Sequence, residues 1–469
     1  MNIPRLTLLA LLPLACLVQA RPSSGDDAAV VQVRADGSGD FQTVHEAVNG
    51  APEGAVVRIG EGVWRESVRI TRPVTLEGAG WEATRIVPPS ADKGQPNPEL
   101  MEMLGRIASE LDSETQEKLR AAMIKVYGTS PVITVSGTDG VILRNMALLR
   151  SEPVRAGGFN SNPAVDVVDA TVRVAGCAIL ESPGTGLAAR GDSHVKVEKS
   201  LIANCWGKGV VVAVSEQGSF EITESDVRNN QYSGLSIGSP SKSIHVTRCR
   251  IHGVGWHGIR YDGCSPTIEH NLFYETAVSG IYASGTTAAQ VQNNLFYHSG
   301  ISCWFRNSDA IQSNTFIGDD QADDPGGITQ GIQVLGASTP MIRHNILVTC
   351  ENAVYVGDIG SDGPSSTSSG QVTLIENAFW DNQRNLARYD KQAEEHVALP
   401  LPKGNQRQQP EFVDAAHRDF RLQKKSPLAV KEIGARDFPR FDSPWPLQAE
   451  EQRTIEAVQE RLKQTSGQR

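Results

Sequence analysis

Three nine-residue stretches decide the fold: IEHNLFYET (268–276), VQNNLFYHS (291–299) and IQSNTFIGD (311–319). Each opens on Val or Ile, carries Asn at its fourth position, and places Phe two residues after that Asn. Seven further windows fit the same frame: ILRNMALLR, VAGCAILES, VEKSLIANC, ITESDVRNN and VTRCRIHGV upstream, IRHNILVTC and LIENAFWDN downstream. Their fourth residues run Asn145, Cys177, Ser200, Ser225, Cys249, Asn271, Asn294, Asn314, Asn345 and Asn377, at spacings of 20 to 32 residues. A β-branched or aliphatic residue before the fourth position and an apolar one after it describe two short strands joined by a polar corner.

A third strand follows most windows, usually opened by glycine: GLAAR from Gly186, GVVVAV from Gly209, GLSIG from Gly234, GIRYDG from Gly258, GIYASG from Gly280, SCWFRN from Ser302, GIQVLG from Gly331 and AVYVGD from Ala353. Three short strands in 20 to 25 residues cannot bury their apolar sides alone, so successive coils must stack. An amide both donates and accepts, which suits Asn to a column bonded to the turns above and below it. The expected fold is all-β, a parallel β-helix of three-strand coils with an Asn ladder, over residues 30–437.

This pattern resembles the right-handed parallel β-helix of pectate lyases, pectin methylesterases, uronan epimerases and related carbohydrate-active proteins. The opening VRADGSGDFQTVHEAVNGAPEGAVVRIGEGVWRESVRI (33–70) is similar to the start of pectin methylesterases, with Gly62-Val63-Trp64-Arg65-Glu66 where that family has G-x-Y-x-E. That likeness implies a short capping helix over Thr43 to Asn49. The later catalytic elements of that family are absent, so methylester hydrolysis by its mechanism is not expected. The segment PEFVDAAHRDFRLQKKSPL (410–428) resembles a closing signature of secreted bacterial β-helix proteins.

The ends and insertions add further expectations. Residues 1–20 read as a signal peptide, with Arg5, an apolar run from Leu6 to Val18 and a small-residue site at Val18-Gln19-Ala20, which implies a secreted or periplasmic protein. Residues 97–127 carry the spacing of a helical hairpin. A tail over 438–469 contains a charged helix from Gln448 to Gln464. No stretch after the leader is long and apolar enough to cross a membrane. Without Arg5 the balance is 43 basic against 54 acidic residues, which argues against nucleic acid or an anionic membrane as partner. The six cysteines that remain occupy no matching positions on neighbouring coils, so buried free thiols are expected; the chain is expected to be a monomer.

Side chains alternate along a strand, so the third strand sorts into inward and outward columns. One outward column is expected to read Ala188, Val211, Ser236, Arg260, Tyr282, Trp304, Gln333 and Tyr355, and the next Arg190, Ala213, Gly238, Asp262, Ser284, Arg306, Leu335 and Gly357. Trp256, His257 and His252 precede this stripe and His298 follows. A solvent-facing sheet does not need such large side chains for folding, so they mark the candidate site. Successive coils lie close to one sugar apart, and arginines on an acidic protein suit a substrate bearing carboxylates or sulfates. On a uronic acid chain, Arg260 or Arg306 would neutralise the carboxylate, His257, Tyr282 or an arginine would act as base, and Asp262 would orient. Tyr282, Trp304, Tyr355, Arg190 and His298 would hold the chain. Asp319, Asp320, Asp323 and Asp324 offer hard oxygen ligands for Ca²⁺. The enzymatic alternative is a glycoside hydrolase using Asp262 with Asp309; the other is a noncatalytic carbohydrate-binding or structural protein.

Overall fold

The computed structural model describes residues 28–89, 131–149, 163–182, 184–205, 207–318, 330–357, 370–390, 392 and 394–445. The expected leader at 1–20, the hairpin at 97–127, the four loop aspartates and the tail helix from Gln448 lie outside these residues.

Among the described residues the chain winds into three sheets of 13 strands each, in which strands three apart in sequence order are neighbours. This is a right-handed parallel β-helix. In one coil the first sheet takes Thr267–Glu269, the second Leu272–Thr276 and the third Ser279–Ser284. The neighbouring coils repeat them in register, with Phe273 opposite Phe296 and Ile281 opposite Ile301. Inside the solenoid equal side chains stack: the rings of Phe273, Phe296 and Phe316 lie 4.8 and 4.6 Å apart and within 5° of parallel.

The corner between the first and second sheets explains the Asn column. Each coil turns there on one residue in the left-handed region, such as His270 (φ 59°) or Asn293 (φ 55°). The following Asn is fully buried and closes the corner. Asn294 donates its backbone N–H and its side-chain amide to Asn314 Oδ1, at 2.9 and 3.0 Å, and gives a further bond to the Ile268 carbonyl. The ladder runs from Asn271 through Asn377 and continues to Asn405, which the repeat windows did not include. In the first window the frame is one residue out. Met146, not Asn145, precedes the strand paired with Ala178, and Asn145 is the left-handed corner residue (φ 57°).

The corner between the second and third sheets explains the glycines. A Cβ on Gly258 would meet the carbonyl oxygen of Gly280 at 2.5 Å and the Phe273 ring at 3.0 Å, and one on Gly280 would meet Phe296 at 2.8 Å. Backbone passes so close to core side chains that only a hydrogen fits.

At the N-terminal end, helix Val44–Gly50 buries Val44, Ala47 and Val48. Thr43 Oγ1 caps it by accepting from the Glu46 N–H at 3.1 Å, while the Glu66 carboxylate accepts from the Val44 and His45 N–H groups at 2.9 and 2.8 Å. A carboxylate at a helix N-terminus is favourable for charge as well as for hydrogen bonding, so the Gly62–Glu66 element does architectural work here. All six described cysteines are buried and free.

After the last coil the chain returns along the outside of the second sheet. Phe420, Leu428 and Ile433 pack on Leu272, Leu295 and Ile346, and Trp445 ends beside Trp81, ring centroids 5.3 Å apart. Under this strap lies a charged cluster. Asp226 accepts from His252 Nε2 at 3.1 Å and from the Ser443 hydroxyl, and Arg228 NH1 reaches Asp226, Ser443 and the Trp445 carbonyl at 3.4, 3.2 and 3.1 Å. The strap covers the second sheet here, whereas the third sheet keeps its large side chains half-exposed.

Candidate functional site

The site is built on the third sheet. Strand His257–Asp262 lies between Leu235–Ile237 and Ser279–Ser284. Gly258 and Ile259 both face the core, which turns His257, Arg260 and Asp262 to the outer side and Tyr261 inward. Tyr261 is fully buried, as alternation requires. Its hydroxyl donates to Asp309, whose carboxylate also accepts from Asn307 Nδ2 at 2.6 Å and the Ala289 N–H at 2.7 Å. Burial raises the Asp309 pKa against the pull of these donors. At 1% exposure Asp309 belongs to the interior, which removes the Asp262–Asp309 pair as a hydrolase arrangement.

On the outer side, rings follow one another across the coils. Trp256 meets Tyr232 edge-on at 6.4 Å and stacks on His257 at 4.7 Å; His257 stacks on Tyr282 at 4.6 Å, and Tyr282 tilts against Trp304 at 5.9 Å. The Arg260 guanidinium lies over two of these rings, 5.3 Å from the Trp256 centroid and 5.6 Å from that of Tyr282. Such contacts hold a cation without neutralising it.

The outward column reads Ala188, Val211, Ser236, Arg260, Tyr282, Ser302, Gln333 and Tyr355. Ser302 takes the place expected for Trp304. The opening glycine of that coil is Gly300, followed by Ile301 as Gly258 is by Ile259, so the opening residue lies two positions earlier than SCWFRN suggested and the strand runs Ile301–Trp304. Trp304 instead pairs with Ser284, in the column of Asp262, and still reaches Tyr282 diagonally. Arg306 falls beyond the strand, in a turn with φ 65°.

The other named residues are dispersed. Arg190, three coils before Arg260, is ion-paired with Asp166 at 3.3 Å. Tyr355, four coils after Arg260, lies 5.1 Å from the His396 ring. His298 stands at the corner after the second sheet, stacked on Tyr297 at 4.0 Å. His252 is under the strap with Asp226, not beside Arg260. The described residues contain no group of three or more His, Cys, Asp or Glu placed to hold a metal ion.

Lys208 was not singled out in the sequence, and the signal for it was present. The residues just before the opening glycines, Thr185, Lys208, Ser233, His257, Ser279 and Ser299, form one more column at the edge of the third sheet, as the bonds from the Gly186, Gly209 and Gly234 N–H groups to the Lys208, Ser233 and His257 carbonyls show. Lys208 is half-buried, and its pKa is lowered by burial and by repulsion from Arg260. Neither cation has a carboxylate within ion-pairing distance among the described residues.

His257 is only 3% exposed and its Nδ1 lies 2.8 Å from Ser279 Oγ. Burial, with a smaller push from Arg260, drives its pKa down to about 3. A neutral, weakly basic imidazole is better suited to shape the ring stack than to take a proton. Because the unfolded chain protonates this histidine below about 6.5, stability is complete above that pH and drains away as pH falls toward the folded value. Urea midpoints measured between pH 7 and pH 4 are expected to fall less steeply in His257→Gln than in the native protein; parallel curves would contradict the depressed pKa.

Residues 233–394 match the family model described as the right handed beta helix region, which takes in Arg260, Tyr282, Trp304 and Tyr355. No curated protein matches the chain. Similar solved structures include the periplasmic alginate epimerase AlgG, at 13% identity and a TM-score of 0.48, covering 73% of this chain and 79% of that one. The A-module of Azotobacter vinelandii mannuronan C-5 epimerase AlgE4 aligns at 10% and 0.43, over 76% and 91% of the chains. The PL6 family alginate lyase AlyGC aligns at 12% and 0.45, over 90% and 60%. At these scores the likeness is one of chain winding and carries no residue assignment.

Proposed function

We propose that this chain binds an acidic polysaccharide along the outer face of the third sheet and acts on it as a lyase or epimerase. The observation that carries the proposal is two cations, Lys208 and Arg260, with no carboxylate within ion-pairing distance among the described residues, on a face that also carries Trp256, Tyr282 and Trp304. A folded chain gains nothing by leaving like charges half-buried on one face without counter-ions, whereas the carboxylates of a chain whose sugars stack on these rings would satisfy each in turn.

Arg260 would neutralise the carboxylate and so stabilise the negative charge that develops when the neighbouring carbon loses its proton. Tyr282 lies beneath the same guanidinium and would take that proton, with Asp262 orienting. The electron pair then either expels the glycosidic oxygen, giving an unsaturated sugar, or is reprotonated from the opposite face. Every residue named comes from one chain, so a monomer suffices. The activity would take place outside the cytoplasm, after removal of residues 1–20; no described helix is long and apolar enough to cross a membrane.

A panel of uronans incubated with the purified protein tests the proposal. Ultraviolet absorbance from an unsaturated product identifies a lyase, and a changed sugar configuration without chain cleavage an epimerase. New reducing ends without absorbance would replace the proposal with hydrolysis, and binding without any product would leave a carbohydrate-binding protein. The same incubation with a chelator tests the Ca²⁺ requirement assigned to Asp319, Asp320, Asp323 and Asp324.

A further inference from the structure

We infer that Lys208 is a second carboxylate-binding residue of the groove and that, together with Arg260, it selects a chain bearing acidic groups in a regular block over one with isolated acidic sugars. The inference rests on the proposed polysaccharide site and goes further in naming what the site counts.

Lys208 precedes Gly209 as His257 precedes Gly258, and the strands that follow are in register through Val210, Leu235 and Ile259. Lys208 therefore stands in the His257 column two coils before Arg260, a rise of roughly 10 Å at the spacing of parallel strands. One coil is close to the length of one sugar, so the two cations are two sugars apart. In an extended ribbon of 1,4-linked uronic acids successive rings turn over, and carboxylates on the same edge recur at every second sugar. Two cations on one side of the groove meet that repeat; a chain with scattered acidic sugars fills only one of them at a time.

The surface between them is small and polar. Ser233 stands between Lys208 and His257 in their column, and Ser236 between Val211 and Arg260 in the next. Arg190, farther along the same face, is held by Asp166 and does not extend the series.

The test is calorimetric titration with galacturonate, mannuronate and guluronate oligomers of two and six sugars. Lys208→Ala is expected to weaken hexamer binding about tenfold and leave dimer binding unchanged, because a dimer seated at Arg260 does not reach Lys208. Lys208→Arg restores the hexamer, and Arg260→Ala weakens both. The inference is overturned if Lys208→Ala binds the hexamer within twofold of the native protein, or loses dimer and hexamer alike. If the native protein binds none of the hexamers, the polysaccharide reading itself fails, which the native titration alone reveals. Circular dichroism of each variant checks that the solenoid is intact.

Discussion

Replacing Asp226 by alanine is expected to cost about 3–5 kcal/mol, the range for removing one partner of a buried charge pair. Asp226 is fully buried and Arg228 is 1% exposed. Without the carboxylate, the guanidinium keeps the Ser443 hydroxyl and the Trp445 carbonyl but loses the negative charge beside it, and His252 loses its acceptor. Because the bond from the Ser443 hydroxyl to Asp226 is lost as well, the loss should appear as undocking of residues 434–445 before the solenoid opens. Limited proteolysis read by mass spectrometry checks this: cleavage within 434–445 should appear in Asp226→Ala at a urea concentration that leaves the native protein uncut. Simultaneous Arg228→Met should recover part of the loss, since two apolar groups replace a pair whose burial was costly. Equal resistance of native and Asp226→Ala protein would show that the apolar contacts of Phe420, Leu428 and Ile433 hold the strap unaided.

The same cluster gives an acid dependence distinct from that of His257. Burial would raise the Asp226 pKa, but the hydrogen bond and electrostatic pull of His252, the Arg228 guanidinium and the Ser443 hydroxyl together hold it below its ordinary value. A carboxylate so depressed contributes stability above the unfolded value of about 4, and that contribution is lost as pH falls through the folded value. The His257 limb begins near neutrality and the Asp226 limb only below about pH 4.

How much of this was legible in the sequence depends on period. The Asn column and the Val, Ile and Phe positions repeat in ten windows, and two short strands around a polar corner follow from them without reference to any distant contact. The frame slipped where the repeat lost its own marks. At Asn145 the left-handed corner residue is itself an asparagine and imitates the ladder. At Ile301 the coil is the shortest of the series, and its opening Gly300 sits directly after Ser299 at the end of the window. The column holding Lys208 is hidden in the repeat because the glycine after it marks the apparent start of the strand, although backbone at a corner still presents side chains to the outer face. The strap could not be read at all: Asp226, Arg228 and His252 look like surface residues until Ser443 and Trp445, more than 190 residues later, cover them. Burial of that kind is set by tertiary contact and has no local period.

Replacing Arg260 by alanine is expected to lower kcat on a uronan by roughly 10²–10³-fold, the usual loss when a donor that stabilises developing negative charge is removed. Arg260 faces outward, and its contacts are with ring faces, worth about 0.5–1 kcal/mol at exposed positions, so the fold should survive. Arg260→Lys should recover only part of the activity, because an ammonium carries the charge but cannot lie flat over Trp256 and Tyr282 or grip a carboxylate with two parallel bonds. The decisive control is Arg190→Ala. Both arginines stand on the outer face of the same sheet and both would serve solubility, but Arg190 spends its charge on Asp166 while Arg260 lies over aromatic rings and has no carboxylate within ion-pairing distance among the described residues. If arginines on this face merely keep an exposed sheet in solution, the two variants will behave alike in the uronan assay. If the unneutralised charge is what the substrate meets, Arg190→Ala will retain activity within a few-fold of the native protein and Arg260→Ala will not. Comparable rates in both would remove the third sheet from consideration as the reacting surface.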